Sequence, residues 1–365
     1  MSLDQEIRKS SLQLATDSYE MSVGELMNVY RDGELVVNPE FQRLFRWDLY
    51  QKSHLIESLL IGVPIPSIFV FEREEGTWEL VDGLQRISTI LEFSGLLKDS
   101  AGKKVPPSVL AETRYLPSLE GKSWDGKPEG SEEIGSTNQI AIKRSRITLQ
   151  ILKKSSDEKA KFDLFQRLNS HGSIATPQEL RNCVLYMISA KRFKRMRKLS
   201  KNPSFLKLLH LSKTAAENQA AMDFVTRFFV FSYIEYDKSW DIEEYLDNGI
   251  IEIATSDKSE LDKMIDVFNR TVGILEATGE ENILRRFKDN KFQGRVGQAA
   301  FETIFLGIAR NIDTIESKTN PDKYILDRAK KLWTSSDIHD FTKAGQRGTD
   351  RIQKTIEFGG AWFSQ

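Results

Sequence analysis

Hydrophobic and polar positions follow different periods along the first 100 residues of the chain. The segment YQKSHLIESLLIG has apolar residues at helical spacing between positions 55 and 60, and the pattern stops at Gly62. IPSIFVFE and TWELVD then alternate like two strands, with residues 74–76 between them as a hairpin turn. ISTILEFSGLL returns to helical spacing, which predicts a helix that starts near Leu84.

The flanking segments continue this mixture of helices and strands. SVGELMNVYRDGEL predicts a short helix that ends near residue 32, and LVVNPEF predicts a short extended piece. Residues 99–138 hold five glycines and four prolines without sustained periodicity, so we expect a loop or a small insertion with little regular structure. RITLQIL (146–152) predicts a strand, and DEKAKFDLFQRLN (157–169) predicts a helix.

A change of pattern near residue 175 predicts a domain boundary. Thr176, Pro177 and Glu179 have the spacing of a helix N-cap, first helical position and capping box. From there the pattern is almost wholly helical. We therefore expect an α+β fold, with a domain containing a small mixed sheet at 1–175 and a mostly α-helical domain at 176–365.

Composition excludes several classes of protein. Lys and Arg number 52 against 53 Asp and Glu, so global charge gives no reason to expect a nucleic-acid partner. The single cysteine, Cys183, precludes an internal disulfide, and the absence of a signal-peptide pattern or a long apolar run predicts a cytoplasmic protein without membrane contact. The four histidines form no paired metal-binding motif, and no GxxxxGK[ST] phosphate loop occurs.

The stretch VDGLQRISTI (81–90) concentrates polar residues where a strand is followed by a helix. Asp82 ends the strand, Gly83 permits a tight turn, and Gln85 and Arg86 open the helix. Free backbone N–H groups and a guanidinium at a helix N-terminus favour an anion such as phosphate. The alternative is that Asp82 only caps the helix while Arg86 pairs with a surface acid.

Two arginines lie in NPEFQRLFRWD (38–48). Arg43 and Arg46 are three positions apart, so both guanidinium groups can face one polyanion, such as a triphosphate or a nucleic-acid backbone. The large aromatics among them, Phe41, Phe45 and Trp47, favour packing over base stacking. A purely surface role for the arginines is the alternative.

Other polar clusters are also compatible with either an anion-binding role or a purely structural or surface role. FQRLNSHG (165–172) and ELRNC (179–183) place Asn169 and Arg181 around one predicted inter-helix loop, where the alternative is helix ending and solvation. KRFKRMRK (191–198) and RRFKDNKFQGR (285–295) are strongly basic. Each indicates either a solvated face or a contact with a phosphate backbone.

Several separated motifs together resemble the GmrSD-type family. FQRLFRW, LIESLLIGVPIPSIFVFE, ELVDGLQRISTILEF, FQRLN-x-x-G and ELRN occur in the order and spacing of the ParB/sulfiredoxin-like N-terminal domain of modification-dependent restriction systems. The family signature, Asp-Gly-Gln-Gln-Arg, is associated with nucleotide binding and with hydrolysis coupled to DNA restriction. Here it reads Asp82, Gly83, Leu84, Gln85, Arg86, so leucine replaces the first glutamine.

The resemblance implies roles for particular residues. Asp82, Gln85 and Arg86 would be catalytic, with Asp82 holding Mg²⁺ or a water and the other two contacting phosphate. The candidate contacts of the NTP are Arg43, Arg46, Gly83, Ser88, Thr89, Asn169 and Arg181. If the first glutamine of the signature orients a water, Leu84 makes turnover slow or absent; if it only packs or touches the base, activity survives.

The resemblance also predicts cofactors and partners. NTP and Mg²⁺ are the expected cofactors, in a sensor or regulator of a bacterial anti-phage or restriction-type system. Family members that cut DNA commonly carry a His-Asn-His nuclease domain, and no such arrangement follows residue 200, so a separate effector nuclease subunit is a candidate partner. DNA is another. The alternatives are a DNA-binding or nicking protein and an inactive interaction scaffold.

Overall fold

The structure is a computed structural model that describes Leu3 and residues 16–37, 47–73, 75–99, 101–153, 176–217, 219–341 and 348–365. Its contacts divide the chain into two compact units, Met1–Ile174 and Ala175–Gln365. This division falls within one residue of the boundary predicted from the start of the capping box.

The N-terminal unit alternates strands with short helices. Its described elements in chain order are β1 (Thr16–Ser22), α1 (Val23–Arg31), β2 (Leu35–Val36), α2 (Leu49–Ile61), β3 (Ile68–Glu72), β4 (Trp78–Asp82), α3 (Leu84–Phe93), a 3₁₀ turn (Pro117–Leu119), β5 (Lys122–Ser123), β6 (Glu132–Glu133), α4 (Ser136–Arg144) and β7 (Arg146–Leu152). The predicted α+β class is confirmed.

Within the described residues, five strands form one mixed sheet in the order β1-β7-β3-β4-β2. β1 runs antiparallel to β7, with Thr16 opposite Leu152, and β3 runs parallel to β7. β3 and β4 are antiparallel, which confirms the predicted hairpin, and β2 adds a short parallel edge to β4. The end of β4, where the candidate motif begins, therefore lies next to the central strand of the sheet.

Helix ends follow the side chains that the sequence provides for them. Ser22 caps α1 through its hydroxyl, and Asp48 and Gln51 form a capping box at the start of α2. α2 ends at Gly62 in the left-handed region, at φ 77°. These helices and α3 place apolar side chains on the sheet, and Ile56 and Ile87 are fully buried. Burying such a side chain contributes about 1.5–3 kcal/mol.

Two sequence predictions for this unit have different outcomes. Residues 99–138 are irregular for most of their length, as predicted, but they contain the short β5–β6 pair, and α4 begins inside this range at Ser136. The predicted helix at 157–169 lies outside the described residues.

The C-terminal unit is helical in most of its described length. Its elements are α5 (Pro177–Ser200), α6 (Pro203–Leu209), α7 (Lys213–Glu217), α8 (Ala220–Tyr233), α9 (Ile242–Thr255), α10 (Lys258–Ala277), β8 (Arg286–Lys288), β9 (Lys291–Gln293), α11 (Gln298–Ala300), a π-helical turn (Phe301–Phe305), α12 (Leu306–Arg310), α13 (Ile312–Glu316), α14 (Pro321–Leu332), α15 (Ser336–Phe341) and α16 (Gly348–Ser364). The β8–β9 hairpin departs from the predicted helical pattern.

Aromatic rings fill the centre of this unit. Phe205, Phe228, Phe268 and Phe305 meet with ring centroids 5.0–5.8 Å apart, and each is fully buried. The capping box predicted at Thr176 and Glu179 is confirmed at the start of α5. Among the described helices, none has both the length and the apolar composition to cross a membrane.

Candidate functional site

Gly83 forms the turn between β4 and α3. Its backbone is left-handed, at φ 98° and ψ 14°, a conformation that glycine adopts without a Cβ penalty. A Cβ added here would lie 2.4 Å from Cδ1 of Ile68 on β3. A register shift between β3 and β4 also places Asp82 opposite Phe69, next to the turn. Backbone conformation and available space therefore both require glycine at this position.

The N-terminus of α3 has no side-chain cap. Gly83 is the N-cap residue and makes no side-chain hydrogen bond, and the first turn carries no acidic residue. In contrast, α2 and α5 begin with complete capping boxes. Because the first N–H groups of a helix lack intrahelical acceptors and lie at the positive end of its dipole, the α3 N-terminus favours an anion.

Arg86 bridges Asp82 and the segment that precedes β3. Its Nη2 donates to Asp82 Oδ2 at 2.8 Å, and its Nη1 donates to the carbonyl oxygens of Pro66 at 2.5 Å and Ser67 at 3.1 Å. The sequence-based alternative paired Arg86 with a surface acid, and the structure identifies that acid as Asp82 itself. Arg86 therefore stabilises the junction of β4 and α3 and also places a positive charge there.

Gln85 connects α3 to the start of α2. Its Oε1 accepts a hydrogen bond from the backbone N–H of Trp47 at 3.1 Å. Trp47 is the residue at which the described chain resumes after 38–46, the segment that contains Arg43 and Arg46. Those two arginines lie outside the described residues, so their predicted contact with the nucleotide stays a prediction.

Ser88 and Thr89 are buried in the first turns of α3. Both have no exposed surface, and the Thr89 hydroxyl donates to the Gln85 carbonyl at 2.7 Å. The Ser88 hydroxyl has no hydrogen-bond partner among the described residues. Both side chains face the interior in this structure, and the nucleotide contacts predicted for them stay a prediction.

Arg181, another predicted nucleotide contact, lies in the C-terminal unit among carboxylates. Its Nε donates to Asp247 Oδ1 at 2.7 Å, its Nη2 donates to Glu243, and Asp223 lies 3.8 Å away. Burial alone would lower the pKa of Arg181, but the Asp247 and Glu243 carboxylates outweigh it and raise the pKa. Arg181 thus links three helices. Asn169, predicted beside it, lies outside the described residues.

The basic segment 191–198 also makes internal contacts. Arg192 donates to the carbonyl oxygens of Ile253 and Ser256 at the C-terminal end of α9, and Arg195 pairs with Asp262 at 2.5 Å. The contacts of Arg192 satisfy the last carbonyl groups of α9. They favour the structural interpretation of these two arginines over contact with a phosphate backbone.

Several contacts around the junction were not predicted from the sequence. The carbonyl oxygens of Pro66 and Ser67 bind Arg86, and Lys52 of α2 pairs with Glu92 of α3 at 2.7 Å. The first joins residues about twenty positions apart, which a local sequence pattern does not specify. The second joins residues of two helices whose packing the sequence pattern does not specify.

Asp82 is the candidate ligand for a metal ion bound together with phosphate. Within the described residues, no group of three or more His, Cys, Asp or Glu side chains is arranged to hold a metal ion. The Asp82 side chain is 34% exposed and uses Oδ2 for Arg86. Mg²⁺ commonly binds one or two carboxylates together with phosphate oxygens and waters, so a single carboxylate at this junction suits it.

Comparison with known proteins gives one match. No curated protein and no solved structure matches this chain. Residues 23–186 match the family model described as GmrSD restriction endonuclease, N-terminal domain. This range includes β4, the Gly83 turn and α3, and it extends into α5. Over residues 23–186, a little under half of its length, the chain is therefore similar to the GmrSD restriction endonuclease N-terminal domain family.

Proposed function

We propose that the N-terminal unit binds an NTP at the junction of β4 and α3, and that the protein is a component of a restriction-type defence system. The family match supports the second part, since the matched domain is named for a restriction endonuclease. The first part rests mainly on the uncapped N-terminus of α3, where the Gly83 turn brings backbone N–H groups beside Asp82 and Arg86.

Phosphate oxygens would accept hydrogen bonds from the first N–H groups of α3. Arg86 would add to this, because its described contacts use three of the five N–H groups that a guanidinium carries. Its pairing with Asp82 also fixes the carboxylate in place. When bound, Mg²⁺ would neutralise phosphate charge, and Asp82 would be its protein ligand.

Leu84 bears on hydrolysis more than on binding. In the structure it is partly buried and packs against the core of the N-terminal unit. This contact favours the interpretation in which the corresponding glutamine of the family signature packs instead of orienting a water. We therefore expect Leu84→Gln to leave NTP affinity within about twofold, because a packing residue contributes little to phosphate contact. Phosphate release from both proteins would measure the hydrolytic step separately.

Calorimetric titration of the full chain with each NTP and Mg²⁺ tests the proposal. Asp82→Asn keeps the shape of the side chain and removes its charge, so we expect the Mg²⁺ dependence of binding to disappear and affinity to fall by about tenfold or more. Glu112→Gln is the matched control, because Glu112 is an exposed acid in the same unit. A wild-type protein that binds no NTP, or an Asp82→Asn protein with unchanged Mg²⁺ dependence, would refute the proposal.

Arg86→Lys separates charge from hydrogen-bond geometry. Lysine keeps the positive charge but lacks the planar fork whose two nitrogens contact Asp82 and the carbonyls of Pro66 and Ser67 separately. We expect weaker NTP binding together with a lower melting temperature. Removing Arg86 altogether should also lower the melting temperature, because its side chain makes three internal hydrogen bonds, each worth about 0.5–1.5 kcal/mol.

A further inference from the structure

The β8–β9 hairpin is a basic ribbon within the helical unit. Its strands pair antiparallel, with Arg286 opposite Gln293, Phe287 opposite Phe292 and Lys288 opposite Lys291. The turn residues Asp289 and Asn290 both have positive φ, 52° and 59°. Two consecutive left-handed residues are typical of the two-residue type I′ turn, which matches the twist of a hairpin.

The two faces of the hairpin differ in chemistry. The rings of Phe287 and Phe292 meet on one face with centroids 4.9 Å apart, and Phe292 is buried. Because directly opposed residues share a face and successive residues alternate, Arg286, Lys288 and Lys291 all lie on the other face. The side chains of these three basic residues are exposed.

Like charges on this face are not neutralised by neighbouring acids. Lys288 and Lys291 are directly opposed, an arrangement that destabilises a strand pair. Within the described part of the chain, no carboxylate oxygen lies within 4.0 Å of the amine or guanidinium nitrogens of Arg286, Lys288 or Lys291. Residues 285–295 hold five basic residues and one acid, a formal charge of +4 in a chain whose net charge is −1.

We infer that the exposed face of this hairpin binds the phosphate backbone of duplex DNA. A two-stranded antiparallel ribbon is narrow enough to lie along or enter the major groove of B-DNA. Three adjacent cations without acidic partners suit a regular row of phosphates, and bound phosphates would relieve the repulsion between Lys288 and Lys291. The surface lies in the helical unit, so the inference goes beyond the NTP site.

Fluorescence anisotropy of a short labelled duplex with the full chain, across a salt series, tests the inference. We expect Lys288→Glu/Lys291→Glu to weaken binding by about tenfold or more at low salt. The slope of log affinity against log salt should decrease by about two, since two phosphate contacts are lost. The matched control is Lys238→Glu/Lys263→Glu, which changes the net charge equally at two exposed lysines of the same unit.

A second variant separates binding from folding. Lys288→Gln/Lys291→Gln removes the opposed charges without reversing them, so we expect an equal or higher melting temperature together with weaker DNA binding. NTP titration of both hairpin variants should match the wild type, which distinguishes failure of this inference from failure of the proposed nucleotide site. The inference is overturned if the wild type does not bind duplex DNA at low salt, if the control loses as much affinity as the hairpin variant, or if anionic vesicles bind the hairpin face more tightly than DNA does.

Discussion

Gly83 combines a left-handed backbone with close contact to Ile68, so an added methyl group meets two separate penalties. We expect Gly83→Ala to destabilise the protein by about 2–4 kcal/mol, because a non-glycine residue at positive φ costs about 1–3 kcal/mol and overpacking adds to it. Gly76→Ala is the control, since Gly76 has φ 82° but no atom within 4 Å of the added Cβ. Urea unfolding of both variants measures the difference.

The clash between Ile68 and a Cβ at position 83 can be relieved without changing the backbone strain at that position. Ile68→Val removes Cδ1, the atom that would lie 2.4 Å from the new Cβ. In a double-mutant cycle, Gly83→Ala should therefore cost less in the Ile68→Val background than in the wild type. Equal costs in the two backgrounds would show that Ile68 does not restrict this turn.

Glu57 of α2 accepts hydrogen bonds from the loop that follows residue 112. Burial alone would raise the pKa of Glu57, but hydrogen bonds from Thr113, from the backbone N–H groups of Tyr115 and Leu116, and from His54 outweigh it and lower the pKa below its ordinary value near 4.5. A carboxylate with a lowered pKa stabilises the folded state above its unfolded pKa, and this contribution is lost as the pH falls through the folded pKa.

We therefore expect Glu57→Gln to destabilise the protein by about 1–3 kcal/mol at neutral pH, because hydrogen bonds to a buried charge are lost. The difference from the wild type should shrink as the pH falls below about 4.5, the ordinary glutamate value. Urea unfolding at several pH values measures it, with the exposed Glu112→Gln as control. A difference that grows on acidification would contradict the assignment.

At the level of residues, the sequence predicts the turn better than its contacts. Gly83 at a strand-to-helix junction follows from local chemistry, and so does the placement of Asp82 beside it. The pairing of Arg86 with Pro66 and Ser67 does not, because it joins residues about twenty positions apart through tertiary packing. The burial of Ser88 cannot be predicted from the sequence either, since small hydroxyl residues occur on both faces of helices.

At the scale of elements, α16 packs closely against the segment formed by the π-helical turn and α12, and glycines lie at the points of contact. A Cβ on Gly359 of α16 would lie 2.4 Å from the carbonyl oxygen of Thr303, and one on Gly307 of α12 would lie 2.5 Å from that of Gly359. The obstructing atoms are backbone, so a rotamer change cannot relieve the contact. We expect Gly359→Ala to cost about 1–3 kcal/mol or more through overpacking.

The neighbouring glycine gives a control of opposite sign. A Cβ on Gly360 would come no closer than 3.5 Å to the side chain of Arg310, an ordinary contact. Gly360→Ala should therefore stabilise α16 by about 0.5–1 kcal/mol, because alanine restricts the unfolded chain and favours helix. Thermal unfolding of the two single variants compares them directly. Similar effects of both substitutions would exclude a close crossing at Gly359.

Elements were predicted where the hydrophobic pattern was long and regular. The β3–β4 hairpin and α2 have such patterns and capping signals at their ends. α4 was missed because it buries one apolar residue, Ile142, and follows a segment rich in glycine and proline. The β8–β9 hairpin was missed because three-residue strands with charged faces give no detectable period.

At the scale of the whole molecule, each unit has a core of its own. The apolar cluster of the N-terminal unit extends from Met21 to Ile151, and the aromatic cluster of the other unit lies between Phe205 and Phe305. Separate cores predict two transitions in calorimetric unfolding. If the NTP binds in the N-terminal unit, a concentration of 100 times its Kd should stabilise that unit by about 2.7 kcal/mol.

NTP should raise the melting temperature of only one of the two unfolding transitions, that of the N-terminal unit. Asp82→Asn, which weakens the proposed Mg²⁺ contact, should reduce the shift without changing the other transition. A nucleotide that moves both transitions equally, or a single transition throughout, would contradict independent folding of the units.

The position of β1 at the sheet edge has a consequence for synthesis on the ribosome. β1 pairs with β7, so Thr16 cannot pair until Leu152 has been synthesised, about 136 residues later in the chain. At translation rates of about 5–20 residues per second this interval is on the order of 10 s. During it the nascent strand is protected from aggregation by its polar sequence, TDSYE, whose two carboxylates oppose pairing with another emerging chain.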